Sequence, residues 1–256
     1  MNEPTLNPKS GFVRLKIEIS YDGTNYAGWA KQPDPRTIQG EIEAALSKVI
    51  NAPLDTMPAG RTDAGVHATC QIIHTDVPES FNDIENLAFK LNRILDTDIR
   101  VINCERAPEG FHARFSPTSR VYEYKIADGL AVIPPLKRLD TANWYRHLDE
   151  NLMNEASKQL LGKHNFKAFC KQRDDQNTTR TLMDFSWQRK DGVLVARVEA
   201  NAFCYSMVRN LVGAVVCVGE GRYPKEWVLK VLNEQERVSD SYVFPANGLT
   251  LVEIKY

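Results

Sequence analysis

Between positions 60 and 67 the chain reads Gly60-Arg61-Thr62-Asp63-Ala64-Gly65-Val66-His67, a carboxylate and a guanidinium bracketed by glycines. A carboxylate can act as nucleophile or as general base, and a neighbouring cation keeps it ionised. Glycine belongs where the backbone takes a positive φ or must let a ligand come close. The segment follows Pro58 and precedes an alternating run, Ala68 to Val77, that predicts a strand. It is therefore expected as a shaped loop that presents Asp63. The plainer alternative is a structural turn in which Asp63 pairs with Arg61 or caps its own backbone. On residue chemistry alone the turn is the commoner outcome.

Arg209 stands out independently, because its neighbours are Met207, Val208, Leu211, Val212, Val215 and Val216. A helix apolar nearly all round is buried, and a buried guanidinium is costly unless an anion and hydrogen bonds compensate it. On residue chemistry its carboxylate partner is any nearby acid that ties two helices together. Tyr122 lies on a predicted strand, where an aromatic is usually core or one of a cross-strand pair. Arg114 suits contact with an anion, with a surface salt bridge as the plain alternative. The five histidines show no zinc-type spacing, so no metal is expected. Five cysteines, odd in number and without a C-x-x-C pair, predict reduced packing residues in a cytoplasmic protein.

The elements that must position these residues follow from periodicity. Val13, Leu15, Ile17 and Ile19 alternate with polar residues and predict a strand; Ile38, Ile42, Ala45, Leu46, Val49 and Ile50 predict a helix from about Thr37. Asn82 and Glu85 form a capping-box pattern before a second helix carrying Ile84, Leu87, Ala88, Leu91, Ile94 and Leu95, and a strand follows from Ile99 to Glu105. Beyond a boundary placed near Gly110, Arg120 to Ile126 alternates as a strand. Leu148, Leu152, Ala156 and Leu160 mark a helix closed by Gly162. Met183, Phe185 and Trp187 lead to the hairpin signal Asp191-Gly192 and a returning strand, Val193 to Ala200. Met207 to Val218 is the most apolar helix; a short helix at Trp227 to Leu232 and a strand at Leu249 to Lys255 close the chain. The class is α+β. The expected division is a flexible tail over 1–11, an N-terminal α+β domain over 12–110 that carries the loop, and a C-terminal α+β domain over 111–256.

Composition sets limits. The 256 residues are 43% hydrophobic and 25% charged, as in a soluble globular protein, and no apolar run approaches the roughly 20 residues that cross a bilayer. The start, Met1 to Gly11, is polar and holds Pro4 and Pro8, which reads as a tail rather than a signal peptide. Net charge is −1, no overall footprint for a nucleic acid. Segregation on one face would restore one: the candidates are Arg106, Arg114, Arg120, Lys167, Lys171, Arg173 and Arg180, with acids such as Glu234 and Glu236 elsewhere.

Ala59 to His67 resembles the signature of the TruA family of tRNA pseudouridine synthases. Further matching segments occur in family order: Tyr21-Asp22-Gly23, Gly28-Trp29, Phe111-His112-Ala113-Arg114-Phe115-Ser116, Asn201-Ala202-Phe203, Met207-Val208-Arg209-Asn210 and Gly248-Leu249. The resemblance implies two related α+β halves sharing a largely antiparallel sheet with an active-site cleft between them, the pseudouridine synthase fold. It implies Asp63 as the catalytic carboxylate with Arg209 beside it, and Tyr122, Arg61 and Arg114 on the substrate, Tyr122 stacking on the target base. It also implies conversion of uridine to pseudouridine at positions 38, 39 and 40 of the tRNA anticodon stem-loop, by a homodimer. The reaction re-attaches the same uracil through another atom, so no cofactor is expected. The alternative from another class is a non-catalytic RNA-binding protein of this fold. The chain departs from the family pattern at Ala68-Thr69-Cys70, within Cys170 to Thr179 and at Tyr242 to Pro245, which bears on the tRNA positions rather than on the reaction.

Overall fold

The computed structural model describes residues 6–171, 177–236 and 242–256. The chain divides into two compact units, Met1–Thr118 with Val252–Tyr256, and Ser119–Leu251.

In the first unit, β1 (Phe12–Tyr21) pairs antiparallel with β3 (His67–Pro78) on one side and β4 (Ile99–Arg106) on the other, and β2 (Met57–Pro58) adds to β3. Leu15, Ile17 and Ile19 are wholly buried, as their alternation requires. Helix α1 (Ile38–Ile50) starts where the Thr37 side chain accepts the Gly40 N–H, and buries Ile38, Ile42, Ala45 and Leu46. Helix α2 is only Leu87–Asn92. The expected capping box at Asn82 and Glu85 does not form. The helix begins after Asn86, whose Nδ2 donates to Asp83 Oδ1, while Asp83 also pairs with Lys90. These side-chain bonds fix a turn ahead of the helix and use the polar groups a longer helix would need at its start.

In the second unit, β5 (Ser119–Asp128) pairs antiparallel with β9 (Val193–Ala200), β9 with β8 (Thr179–Lys190), and β8 with β7 (Gly162–Asn165), while a short parallel strand β6 (Ala142–Trp144) lies on β5. Asp191 and Gly192 both have positive φ, 50° and 80°, the turn that matches strand twist. Helix α3 (Glu150–Lys158) buries Met153, Ala156 and Ser157, leaving the expected core residue Leu152 at its edge. Gly162 opens β7 rather than closing that helix. A register shift between Leu182 and Asp184 turns Met183 outward and Leu182, Phe185 and Trp187 inward. Every residue of α4 (Met207–Gly219) except Arg209 is buried, which holds a valine-rich segment helical against its modest propensity. Helix α5 (Trp227–Glu234) follows, and β10 (Leu249–Lys255) closes the chain.

Among the described residues, ten strands form one largely antiparallel sheet in the order β4-β1-β3-β10-β5-β9-β8-β7, with β2 on β3 and β6 on β5. The α+β class is as the sequence predicts. The division lies after Thr118 rather than near Gly110, because residues 111–116 pack on β1 and β3, where Arg14 Nη1 donates to Phe111 O and Ala113 N–H to His74. Residues 6–11, expected in the tail, include Leu6, whose carbonyl accepts from Arg14, and Asn7, whose side chain accepts the Gly110 N–H. Cys170 and Cys204 are bonded to each other, their Cα atoms 5.8 Å apart, whereas the odd and scattered set predicts reduced thiols. Spacing in sequence carries no information on a pair brought together by a fold. No described helix is long and apolar enough to cross a membrane.

Candidate active site

Asp63 sits half-buried in the loop between β2 and β3, with Arg61 and Ala64 exposed and Thr62 buried beside it. The loop is held at nearly every residue by the first unit. Gly60 N–H donates to Gln71 Oε1 at 3.3 Å, and Gln71 Nε2 donates to Gly60 O at 2.6 Å. Thr62 Oγ1 meets Tyr21 Oη at 2.8 Å, and Thr62 O accepts Trp29 N–H at 3.0 Å. Gly65 N–H donates to Tyr26 O, and Val66 N–H returns to Asp63 O at 3.2 Å. Gly23 and Gly28 make room for the loop: a Cβ on Gly23 would lie 2.0 Å from Val66 O, and one on Gly28 (φ +95°) 2.9 Å from Thr62 O. Gly65, with φ +78°, supplies the predicted left-handed residue.

At the far end of the loop, buried His67 accepts the Gly23 N–H on Nδ1 at 3.1 Å and lies 3.1 Å from Asp22 Oδ1. Burial alone would raise the Asp22 carboxyl. Hydrogen bonds from the Thr24 hydroxyl and N–H outweigh it and hold the group below the usual carboxylate range.

Arg114 stands at the exposed tip of a braced turn in the same unit. Below the tip, Ala113 N–H donates to His74 Nδ1 at 3.0 Å, and the N–H groups of Arg114 and Phe115 donate to His112 Nδ1 at 3.2 and 3.3 Å. Both imidazoles accept only as neutral rings. Burial, reinforced by the Arg14 guanidinium and by His112, pushes His74 down to about 4. Arg14 is itself fixed by a two-pronged ion pair to Asp76 at 2.8 and 3.0 Å. The Arg114 guanidinium lies 5.5 Å above the exposed Phe115 ring.

The second unit carries the other two expected site residues. Arg209 donates from Nε to Phe244 O at 2.6 Å and accepts the Phe244 N–H on its own carbonyl at 3.2 Å. Tyr124 Oη donates to Pro245 O at 2.6 Å, and burial drives that hydroxyl far above its ordinary range. Arg209 is thus tied to Phe244 through both its side chain and its backbone. Tyr122 lies on β5 opposite Val198, 7% exposed, with the Phe203 ring edge-on at 5.2 Å. Arg61, Asp63 and Arg114 therefore belong to the first unit, and Tyr122 and Arg209 to the second.

Of the basic residues expected on one face, Arg106, Lys167 and Lys171 are exposed. Arg120 is buried and donates to Asn201 O, so it braces the chain rather than offering a surface charge. Arg180 is partly buried, and burial disfavours its charged form. Arg173 lies outside the described residues. Among the described residues no group of three or more His, Cys, Asp or Glu is placed to hold a metal ion. Sequence reasoning missed Gln71, Tyr21, His74 and His112 as supports of the loop and turn. The sequence carried no signal for them, because a polar residue such as Gln71 or His74 in a strand reads as a surface position until the fold shows it buried.

The sequence matches a family of known chemistry. The family model described as tRNA pseudouridine synthase matches residues 18–116 and 156–256. The tRNA pseudouridine synthase A of Frankia casuarinae is 48% identical over 96% of this chain and 90% of its own length. Those of Streptomyces griseus and Mycobacterium leprae are 44% and 38% identical, over 96% and 95% of this chain and 89% and 90% of theirs. A solved archaeal box H/ACA Nop10–Cbf5 complex is similar over 79% of this chain and 44% of that chain, at 12% identity and a TM-score of 0.33, too slight a likeness to bear weight. The chain belongs to the tRNA pseudouridine synthase family, and is an isomerase that converts uridine in tRNA to pseudouridine.

Proposed function

We propose that Asp63 is the carboxylate of this reaction, acting on uridines 38, 39 and 40 of the anticodon stem-loop. One observation supports this above others: the signature loop is tied down at Gly60, Thr62 and Gly65, yet leaves Asp63 half-exposed and Arg61 exposed. Such a loop is costly to build and pre-sets one geometry. Arg209 supplies the basic residue of the reaction. Tyr122 stacks on the flipped uracil, and Arg61 and Arg114 hold the RNA around it.

The isomerisation breaks the C1′–N1 bond, turns the uracil and joins C5 to C1′. The hydrogen on C5 leaves as a proton, and N1 takes one up. Nothing is oxidised and no group is supplied from outside, so the residues need only hold, orient and move protons. Asp63 serves either as nucleophile or as base.

The protein works in the cytoplasm as a homodimer that touches tRNA with both subunits. The side chains of Leu130, Val132 and Leu136 are almost wholly exposed on one loop, an apolar surface of the kind a second copy covers. Replacing all three by Ser should shift sedimentation toward monomer; an unchanged dimer would remove this loop from the interface.

The assignment of tRNA positions is tested with transcripts that carry one 5-tritiated uridine each, at 38, 39 or 40. Each should release tritium to water, with EDTA present, and transcripts labelled elsewhere should not. Release should weaken as salt rises, because phosphate contacts supply much of the affinity. Release from other positions, or from none, would overturn the assignment.

A further inference from the structure

We propose that Gln71 and Tyr21 are positioning residues that set the geometry of Asp63 through the backbone of its loop, an inference that rests on Asp63 being the reacting carboxylate. Strand β2 is only two residues long, and just past it Ala59 N–H still donates to Ile72 O at 2.8 Å. The chain then leaves the sheet. At Gly60, both backbone groups are taken up by one side chain, the amide of Gln71. An amide side chain offers a donor and an acceptor as a peptide does, so it replaces the missing rung of the ladder.

The second N–H of Gln71 faces Tyr21 Oη at 3.5 Å, and Tyr21 Oη in turn meets Thr62 Oγ1. Residues 60 and 62 are thus tied to β3 and β1, while Arg61 is exposed and Asp63 half-exposed. The apparatus is dry: Gln71 is 0% and Tyr21 4% exposed. Burial also pushes the Tyr21 hydroxyl up to about 12, so it keeps its proton at any working pH. If stability were its only task, an apolar side chain beside Ile72 and Ile73 would serve the sheet as well. A buried amide is costly unless fully bonded, and its bonds admit one loop geometry.

The test uses the whole protein and tRNA transcripts labelled with 5-tritiated uridine, with single-turnover tritium release, filter binding of the same transcript and thermal melting measured for each variant. Gln71→Met keeps length and loses both bonds; its rate should fall about 10²-fold, as for a loop displaced by about 1 Å, with tRNA affinity near wild type. Tyr21→Phe removes only the hydroxyl and should lose roughly tenfold in rate. Gln71→Glu supplies the readout that a merely structural role would not move. Burial raises its carboxyl pKa. When protonated it offers one acceptor and one donor and restores the rung; when ionised it has no donor and faces Gly60 O. Its rate relative to wild type should therefore be highest at low pH and fall as pH rises, whereas the ratio for Gln71→Met stays flat.

Should Gln71→Met fail to fold, Tyr21→Phe and Gln71→Glu carry the test. A pH-independent ratio for Gln71→Glu together with a wild-type rate for Tyr21→Phe would overturn the inference, as would losses seen in affinity or melting alone. Asp63→Asn in the same assay separates the two failures. If it is inactive while the Gln71 and Tyr21 variants turn over normally, only the inference falls; if it retains the wild-type rate, the assignment of Asp63 falls and takes the inference with it.

Discussion

The Asp63 loop and the Arg209 helix are held in opposite ways. The loop has almost no core of its own and is fixed by directed bonds: Gln71 on Gly60, Tyr21 on Thr62, Trp29 N–H on Thr62 O. The helix is fixed by burial without direction, with Arg209 the sole residue of α4 that is not fully buried. Directed bonds specify position and contribute modestly to net stability. Apolar burial contributes much stability and tolerates changes of similar volume. Substitutions around the loop should therefore appear mainly as lost rate, and those along the helix mainly as lost stability, except at Arg209.

Arg209→Leu is the largest departure expected from that contrast. Apolar neighbours can accept Leu, so stability should change by no more than about 1 kcal/mol, while turnover falls roughly 10²- to 10³-fold. Urea unfolding beside tritium release measures both; a loss of stability with little loss of rate would make Arg209 an ordinary helix brace. By contrast Leu211→Ala, two residues on and wholly buried, should cost about 2–5 kcal/mol and leave the rate of the folded fraction near wild type.

Tyr122 comes next. Tyr122→Phe should retain stacking, and Tyr122→Ala should lose roughly 10- to 100-fold in kcat/KM, as expected for one lost stacking contact of about 1–3 kcal/mol. Equal activity in both variants would confine Tyr122 to its packing against Phe203. A smaller effect is expected for Arg114→Gln, which should weaken tRNA binding and lower the salt slope by about one; an unaltered slope would leave Arg114 off the RNA.

The last of the series is a pH effect on the first unit. His74 is depressed to about 4, below its unfolded value of about 6.5, so the unfolded chain takes up its proton first. The stability it contributes is present above about pH 6.5 and is lost as pH falls toward 4. His74→Gln keeps an acceptor for Ala113 N–H without titrating. It should flatten the fall in melting temperature over that window, and an unchanged profile would assign the fall to other groups.

Much of this architecture was legible in the sequence, for reasons that the exceptions make plain. β1, α1, the Asp191-Gly192 hairpin and α4 follow from periodicity and turn chemistry, which are local. The signature loop was legible as a loop because of Gly60, Gly65 and Pro58. What failed depended on contacts distant in sequence or on a local competitor: the Asp83–Asn86–Lys90 bonds that shorten α2, the register shift that turns Met183 outward, the Cys170–Cys204 pair. The supports of the loop were hidden for the same reason. Gln71 looks like a surface residue in an alternating strand, and only the fold shows that it faces Gly60.

The central claim is that the carboxylate presented by this loop carries the chemistry. It is tested most directly by comparing wild type with Asp63→Asn under single-turnover conditions, on a tRNA transcript labelled with 5-tritiated uridine at positions 38 to 40. Melting and filter binding of both proteins establish that fold and tRNA affinity are intact. Asn keeps the size and shape of Asp63 and leaves the bonds on Gly60, Thr62 and Gly65 in place, so melting should differ little and binding should be near wild type. Tritium release should fall by at least about 10³-fold. Release by the variant within about tenfold of wild type, with fold and binding preserved, would be less than the loss of one catalytic group and would contradict the account.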